Sequence, residues 1–212
     1  MLPERPFLYP ILDSATLGRV RPARLVGTLA AAGVRLVQLR AKLCPDAELL
    51  ALAIETCQAA REVGVSVIVD DRPDVALLCG AAGVHLGQTD LPAARVRELL
   101  PGALIGVSTH DLRQLDAAVQ PAVDYVAIGP IFPTATKRDP DPVVGLDTLR
   151  RARAACPHPL VAIGGISRAN AAEVLAAGAD GLAVISDLFR APDLAAAAAG
   201  YREILEAASH GV

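Results

Sequence analysis

Residues 65–86 read Val65-Ser-Val-Ile-Val69-Asp70-Asp71-Arg72, then Pro-Asp-Val-Ala-Leu-Leu-Cys79, then Gly80-Ala-Ala-Gly83-Val84-His85-Leu86. A short apolar run ends in charged residues, a stretch with helical spacing follows, a glycine stops it, and a second apolar run begins at once. Neither run alternates polar with apolar residues, so each predicts a strand buried on both faces, as in a parallel sheet. The segment is one βα unit with the next strand attached.

The same cycle extends in both directions. Strands are predicted at 7–12, 34–39, 65–69, 83–86, 103–107, 125–128, 160–163 and 182–185. Glycine stops recur in Ala32-Gly-Val34, in Gly80-Ala-Ala-Gly-Val84 and in Ala177-Gly-Ala-Asp-Gly181. Between strands, Leu49, Leu50, Ala53, Ile54, Cys57 and Ala60 form one helical stripe. Leu194, Ala198, Tyr201, Leu205 and Ala208 form another, and Pro45, Pro92 and Pro192 suit first turns. Eight such units in 212 residues, with no linker or composition break, predict a single domain over residues 1–212, an α/β (β/α)8 TIM barrel. An open doubly wound sheet is the competing arrangement.

Composition narrows the function. With Lys+Arg 20 against Asp+Glu 23 the formal charge is −3, and aromatic residues make up 3% of the chain with no Trp. Neither a global basic field nor a supply of stacking rings is present, which argues against nucleic-acid and anionic-lipid partners. The longest run without a polar side chain, Val75 to Val84, spans ten residues, short of the ~18 of a membrane helix. The start Met1-Leu-Pro-Glu-Arg-Pro6 carries no apolar leader, so a cytoplasmic location is expected. Cys44, Cys57, Cys79 and Cys156 stand far apart, without Cys-x-x-Cys spacing, and are expected to be reduced thiols. The partners expected are small molecules; the helices leave a homo-oligomer open.

A barrel gathers its chemistry where strands end. The predicted ends carry Asp13; Gln38-Leu-Arg40-Ala-Lys42; Asp70-Asp71-Arg72; His85-Leu-Gly-Gln88-Thr-Asp90; Ser108-Thr-His110; Gly129 through Thr134, Thr136 and Lys137; Gly164-Gly165; and Ile185-Ser186. Gly165, Ile185 and Ser186 follow the seventh and eighth strands, where barrels bind phosphate with backbone N–H groups. Glycines that merely make tight turns are the alternative, but their place in the barrel favours phosphate. Asp71 and Asp90 offer hard oxygens to Mg²⁺, against which Asp90 could cap a helix and Asp71 could pair with Arg72. Arg40, Lys42 and Lys137 could neutralise phosphate charge, and Ser108, Thr134 and Thr136 could donate hydroxyls or cap helices. His85 and His110 are single histidines. The ring lacks an obvious strong base, which favours a reaction driven by stabilising a leaving group.

Together, Gln38-Leu-Arg40-Ala-Lys42, Asp71-Arg72, Gly83-Val-His-Leu-Gly-Gln-Thr-Asp90, Ile105-Gly-Val-Ser-Thr-His110, Gly129-Pro-Ile-Phe-Pro-Thr-Ala-Thr-Lys137 and Val161-Ala-Ile-Gly-Gly-Ile166 resemble the thiamine-phosphate synthase family over nearly the whole chain. The resemblance implies a Mg²⁺-dependent transferase. It would join 4-amino-5-hydroxymethyl-2-methylpyrimidine diphosphate to 4-methyl-5-(2-hydroxyethyl)thiazole phosphate and release pyrophosphate. It further implies that the diphosphate departs first, leaving a pyrimidine carbocation for the thiazole nitrogen. On that resemblance Asp71 and Asp90 are Mg²⁺ ligands, and Arg40, Lys42, Ser108 and Lys137 are catalytic diphosphate contacts. Gln38 contacts the pyrimidine, and Tyr9 and His85 line its pocket. Thr134, Thr136, Gly165, Ile185 and Ser186 hold the thiazole phosphate.

Two departures stand out. Asp70 occupies the place where the family usually has Asn, and the first strand lacks the Thr common before its Asp. A carboxylate beside a diphosphate repels it unless metal-bound, protonated or turned away, so Asp70, a substrate-site residue, bears on substrate affinity or metal number more than on reaction class. A thiazole tautomerase and a non-catalytic precursor-binding barrel are the rival functions. Residues 133–142 are expected to form a lid over the diphosphate.

Overall fold

The computed structural model describes residues 1–134 and 141–209. The chain alternates strand and helix throughout: β1 (Phe7–Asp13), α1 (Ser14–Leu17), α2 (Ala23–Ala31), β2 (Leu36–Arg40), α3 (Asp46–Glu62), β3 (Ser66–Asp70), α4 (Pro73–Cys79), β4 (Gly83–Leu86) and α5 (Ala93–Leu99). It continues with β5 (Leu104–Thr109), α6 (Leu112–Ala118), β6 (Tyr125–Ile128), α7 (Gly145–Ala155), β7 (Leu160–Ile163), α8 (Ala171–Ala176), β8 (Gly181–Val184), α9 (Ser186–Phe189) and α10 (Leu194–Ser209). All pairings are parallel, each strand joins its successor, and β8 returns to β1. The sheet is a closed (β/α)8 barrel, not the open doubly wound alternative.

Strand alternation divides the core in two. Phe7, Tyr9, Ile11, Leu36, Ile68, Tyr125, Ala127, Val161 and Ala183 fill the barrel interior. Leu8, Leu12, Val37, Leu39, Val67 and Val69 belong to the larger cluster between sheet and helices. Most strands are thus apolar on both faces, which explains the missing alternation in the sequence, while β4 sends Val84 and Leu86 outward and His85 into the cavity.

Three predicted strand starts, at Val34, Val65 and Ala103, fall too early. Val34 N–H donates to Leu29 O at 3.1 Å and Val65 N–H to Ala60 O at 2.9 Å, so each folds back on its helix. The preceding Gly33 and Gly64 have φ of 92° and 68°. In the other two repeats only the first glycine is a stop: Gly80 and Gly178 have positive φ, whereas Gly83 and Gly181 lie inside strands. The buried stripe of α3 is Leu49, Leu52, Ala53, Thr56, Cys57 and Ala60, so Leu52 and Thr56 replace the predicted Leu50 and Ile54. Thr56 tolerates burial because its hydroxyl donates to Leu52 O at 2.7 Å. Pro45 and Pro92 sit one residue ahead of their helices, with extended ψ of 146° and 133°. Pro192 lies two residues before α10, so none of the three occupies the first turn it was expected to fill.

The lower rim repeats one clamp. Asp124, just before β6, accepts Ile105 N–H at 2.7 Å and pairs with Arg97 of α5. Asp180, just before β8, accepts Leu160 N–H at 2.8 Å and pairs with Arg153 of α7. Each arginine also donates to loop carbonyls, Arg97 to Ala103 and Ala122, Arg153 to Cys156 and His158. The clamps fix the starts of four strands on the face away from the polar ring. All four cysteines are free thiols, with Cys57 and Cys79 sulfurs 3.7 Å apart. Among the described residues no helix is long and apolar enough to cross a membrane.

Candidate active site

At the carboxyl ends of the strands the barrel opens into a cavity of about 350 Å³. Tyr9, Gln38, Arg40, Lys42, Asp70, Asp71, His85, Ser108, Thr134, Gly165, Ile185 and Ser186 line it, drawn from seven strand ends and the loop after β6. Asp90 is not in the wall itself; it stands behind Gly87, which is, and touches Asp71. Thr136, Lys137 and most of the expected lid lie outside the described residues.

Parallel register explains the convergence. Asp70 is paired with His85, His85 with Gly106, and Gly106 with Tyr125, so one level runs across β3, β4, β5 and β6. The pleat then points these positions inward together.

Arg40 bridges two carboxylates. It donates to Asp13, and its Nε lies 3.3 Å from Asp70 Oδ2. Asp13 also accepts Thr16 N–H at 2.9 Å, so this strand end is a helix cap and an anchor for Arg40. The approach to Asp70 is too poorly aligned for a hydrogen bond, and Asp70 Oδ2 is a buried oxygen without one. Burial, reinforced by Asp71, pushes the Asp70 carboxyl up to about 7, against the pull of Arg40 and Lys42.

Lys42 Nζ lies 2.9 Å from Asp71 Oδ2. Burial alone would lower its pKa, but the Asp71 contact outweighs that and holds the ammonium above its ordinary value. Asp71 does not pair with Arg72, which is taken by Asp46 and Asp74. It has φ of 61°, the left-handed region that Asp and Asn tolerate better than most side chains. Asp90 does not cap α5, whose N-cap position is Pro92; its Oδ2 accepts Gly87 N–H at 2.6 Å. Burial first, and then the adjoining Asp71, raise the Asp90 carboxyl above its usual range.

Ser108 is not a helix cap either, since Asp111 fills that role for α6. Its Oγ is 2.8 Å from His85 Nε2. His85 Nδ1 is 3.0 Å from Tyr125 Oη, a residue the strand-end reading missed because it begins β6. His110 Nδ1 bonds Gly129 O at 2.7 Å, and its Nε2 stands 3.5 Å from Asp141.

The opposite wall is shaped by backbone. Gly164 and Gly165 have φ of 96° and 66°, and a Cβ on Gly165 would stand 2.7 Å from Phe132 Cβ and Pro133 O. Asn170 closes the turn, its Nδ2 donating to Gly165 O at 3.0 Å and its Oδ1 accepting Ser167 N–H at 2.8 Å. The result is a glycine-lined surface beside Ile185 and Ser186, able to take an anion against main-chain N–H groups.

A family model for thiamine monophosphate synthase matches residues 8–188. A thiamine-phosphate synthase of Chloroflexus aurantiacus is 45% identical over 199 residues, covering 93% of this chain and 92% of its own. Another, of Methanoregula boonei, is 46% identical over 197 residues, covering 92% and 91%. The solved thiamine phosphate pyrophosphorylase of Pyrococcus furiosus superposes with a TM-score of 0.86 at 35% identity, covering 96% of each chain. A 3-hexulose-6-phosphate synthase structure, at 18% identity and a TM-score of 0.70, shares the fold.

Proposed function

Because the chain belongs to the thiamine monophosphate synthase family and is a transferase forming thiamine phosphate, we propose that its strand-end cavity drives the reaction by withdrawing the charge of a departing diphosphate. The substrates are 4-amino-5-hydroxymethyl-2-methylpyrimidine diphosphate and 4-methyl-5-(2-hydroxyethyl)thiazole phosphate. The observation that carries the proposal is the convergence of Arg40, Lys42, Asp71 and Ser108 on that cavity, with Asp90 adjoining Asp71 behind its wall.

Arg40 presents a planar donor fork and Lys42 a compact charge, and Ser108 adds a hydroxyl. These groups stabilise negative charge as it builds on the leaving diphosphate, which is worth more in a partly enclosed site than in water. Gln38, Tyr9 and His85 bound the deep end, where the pyrimidine ring sits. Thr134, Gly165, Ile185 and Ser186 hold the thiazole phosphate opposite, placing its ring nitrogen in line with the carbon losing the diphosphate. Thr136 and Lys137 are assigned to the same two anions by their place in the motif.

Asp71 and Asp90 suit Mg²⁺, being two adjoining hard-oxygen donors. No group of three His, Cys, Asp or Glu suited to a metal converges among the described residues, so water and diphosphate oxygens would complete the shell. The ion, when bound, supplies Lewis-acid neutralisation of the diphosphate. The deciding experiment is pyrophosphate release by the purified protein with both substrates, with and without Mg²⁺. Release that needs Mg²⁺ and yields thiamine phosphate supports the proposal; equal release after chelation would remove Mg²⁺ from it.

Asp70 is dispensable on this reading. Its Oδ2 lacks a hydrogen bond, and its charge opposes the incoming diphosphate. Asp70→Asn is expected to retain or raise turnover. A collapse of kcat with an unchanged melting temperature would instead make the Asp70 carboxylate essential.

A further inference from the structure

A file of hydrogen bonds runs through the barrel interior, connecting the deep wall of the cavity to Ser108. Gln38 Nε2 donates to Tyr9 Oη at 3.2 Å, and Tyr9 Oη stands 2.9 Å from Tyr125 Oη. Tyr125 Oη is 3.0 Å from His85 Nδ1, and His85 Nε2 is 2.8 Å from Ser108 Oγ. Tyr9 and Tyr125 are 1% and 0% exposed. Burial holds both phenols protonated.

Each phenol has one proton to give, so the direction at one end sets the direction along the file. The Gln38 amide occupies Tyr9 Oη as a donor, which leaves the Tyr9 proton for Tyr125 and the Tyr125 proton for His85 Nδ1. A neutral imidazole that accepts at Nδ1 carries its proton on Nε2. That proton goes to Ser108 Oγ, and the proton of Ser108 is turned out into the cavity. The reverse direction would spend the Ser108 proton on His85 and face lone pairs toward an anion.

We propose that Tyr125 is a positioning residue for this reaction: acting through His85, it orders the Ser108 hydroxyl as a donor aimed at the departing diphosphate. The inference rests on the diphosphate assignment made above. Packing shows that the Tyr125 ring is held for this task. It meets Tyr9 edge-on, with centroids 5.9 Å apart, and stacks on the His85 ring at 5.5 Å. Its bulk is accommodated by Gly106, where a Cβ would come within 2.0 Å of Tyr125 Cζ.

Tyr125→Phe removes the hydroxyl and keeps the ring. Turnover is expected to fall about tenfold, the loss that follows when one buried hydrogen-bond partner is removed. KM for both substrates should stay within about twofold, because the ordered proton matters as charge develops. In a Ser108→Ala background the same change should cost nothing further, since the file then has no hydroxyl to order. A Tyr125→Phe enzyme as fast as the parent, or a full tenfold loss in both backgrounds, would overturn the proposal. Nitrogen-15 spectra of histidine-labelled resting protein, with His85 assigned by comparison with His85→Gln, should show its proton on Nε2. A proton on Nδ1 would also overturn it. The spectra need no substrate, so a parent protein that releases no pyrophosphate would refute the diphosphate assignment without obscuring the direction of the file.

Discussion

Asp71→Asn is expected to lower pyrophosphate release by about a thousandfold, the scale of the several kcal/mol a metal contributes to stabilising transition-state charge. Asparagine shares aspartate's tolerance of the left-handed backbone, here φ of 61°, so the turn after β3 should survive. What goes is a negative oxygen that faces Lys42 at 2.9 Å and adjoins Asp90. The variant should therefore melt close to the parent temperature while needing far more Mg²⁺ for half-maximal rate. Steady-state rates across a Mg²⁺ titration check this. A loss under tenfold, with the same Mg²⁺ requirement, would take Asp71 out of the metal site.

Gly106→Ala should be the most damaging small change inside the barrel. The added Cβ would lie 2.0 Å from Tyr125 Cζ and 2.4 Å from its Oη, closer than any relaxed contact. Tyr125 is fully buried and wedged between Tyr9 and His85, so it has nowhere to retreat. Overpacking of this kind costs about 3 kcal/mol at the upper end of its usual range. For a chain of this length that corresponds to a fall of roughly 6–12 °C in melting temperature. Calorimetry tests the stability and initial rates test the site, because a displaced Tyr125 also releases His85. A variant that melts with the parent would mean that the strands separate more easily than the register suggests.

The barrel was readable because its signals are local: apolar runs without alternation, glycine stops, and proline near helix starts, although the prolines expected in first turns stand ahead of them. Errors arose where a local signal has two uses. Val34 and Val65 look like strand residues but satisfy the end of a helix first. Thr56 looks polar, yet it is buried because it bonds its own backbone. The site divides in the same way. Arg40, Lys42, Asp71 and Ser108 were legible because barrel topology makes strand ends a ring. Asp13 was legible as a polar strand end but not as the partner of Arg40, which depends on the Asp13–Arg40 register between β1 and β2. Tyr125 was not legible at all. It starts its strand like an ordinary core aromatic, and only barrel closure brings its hydroxyl between Tyr9 and His85.

The paired clamps at Asp124 and Asp180 bear on how such a protein could change over time. Each ties a helix, two strand starts and a loop together on the rim away from the cavity. Register is then secured from below, and loops on the upper rim can be lengthened, shortened or exchanged without unzipping the strands that carry them. A lineage, or an engineer, seeking a different heterocycle or anion could rewrite one rim and inherit the other intact.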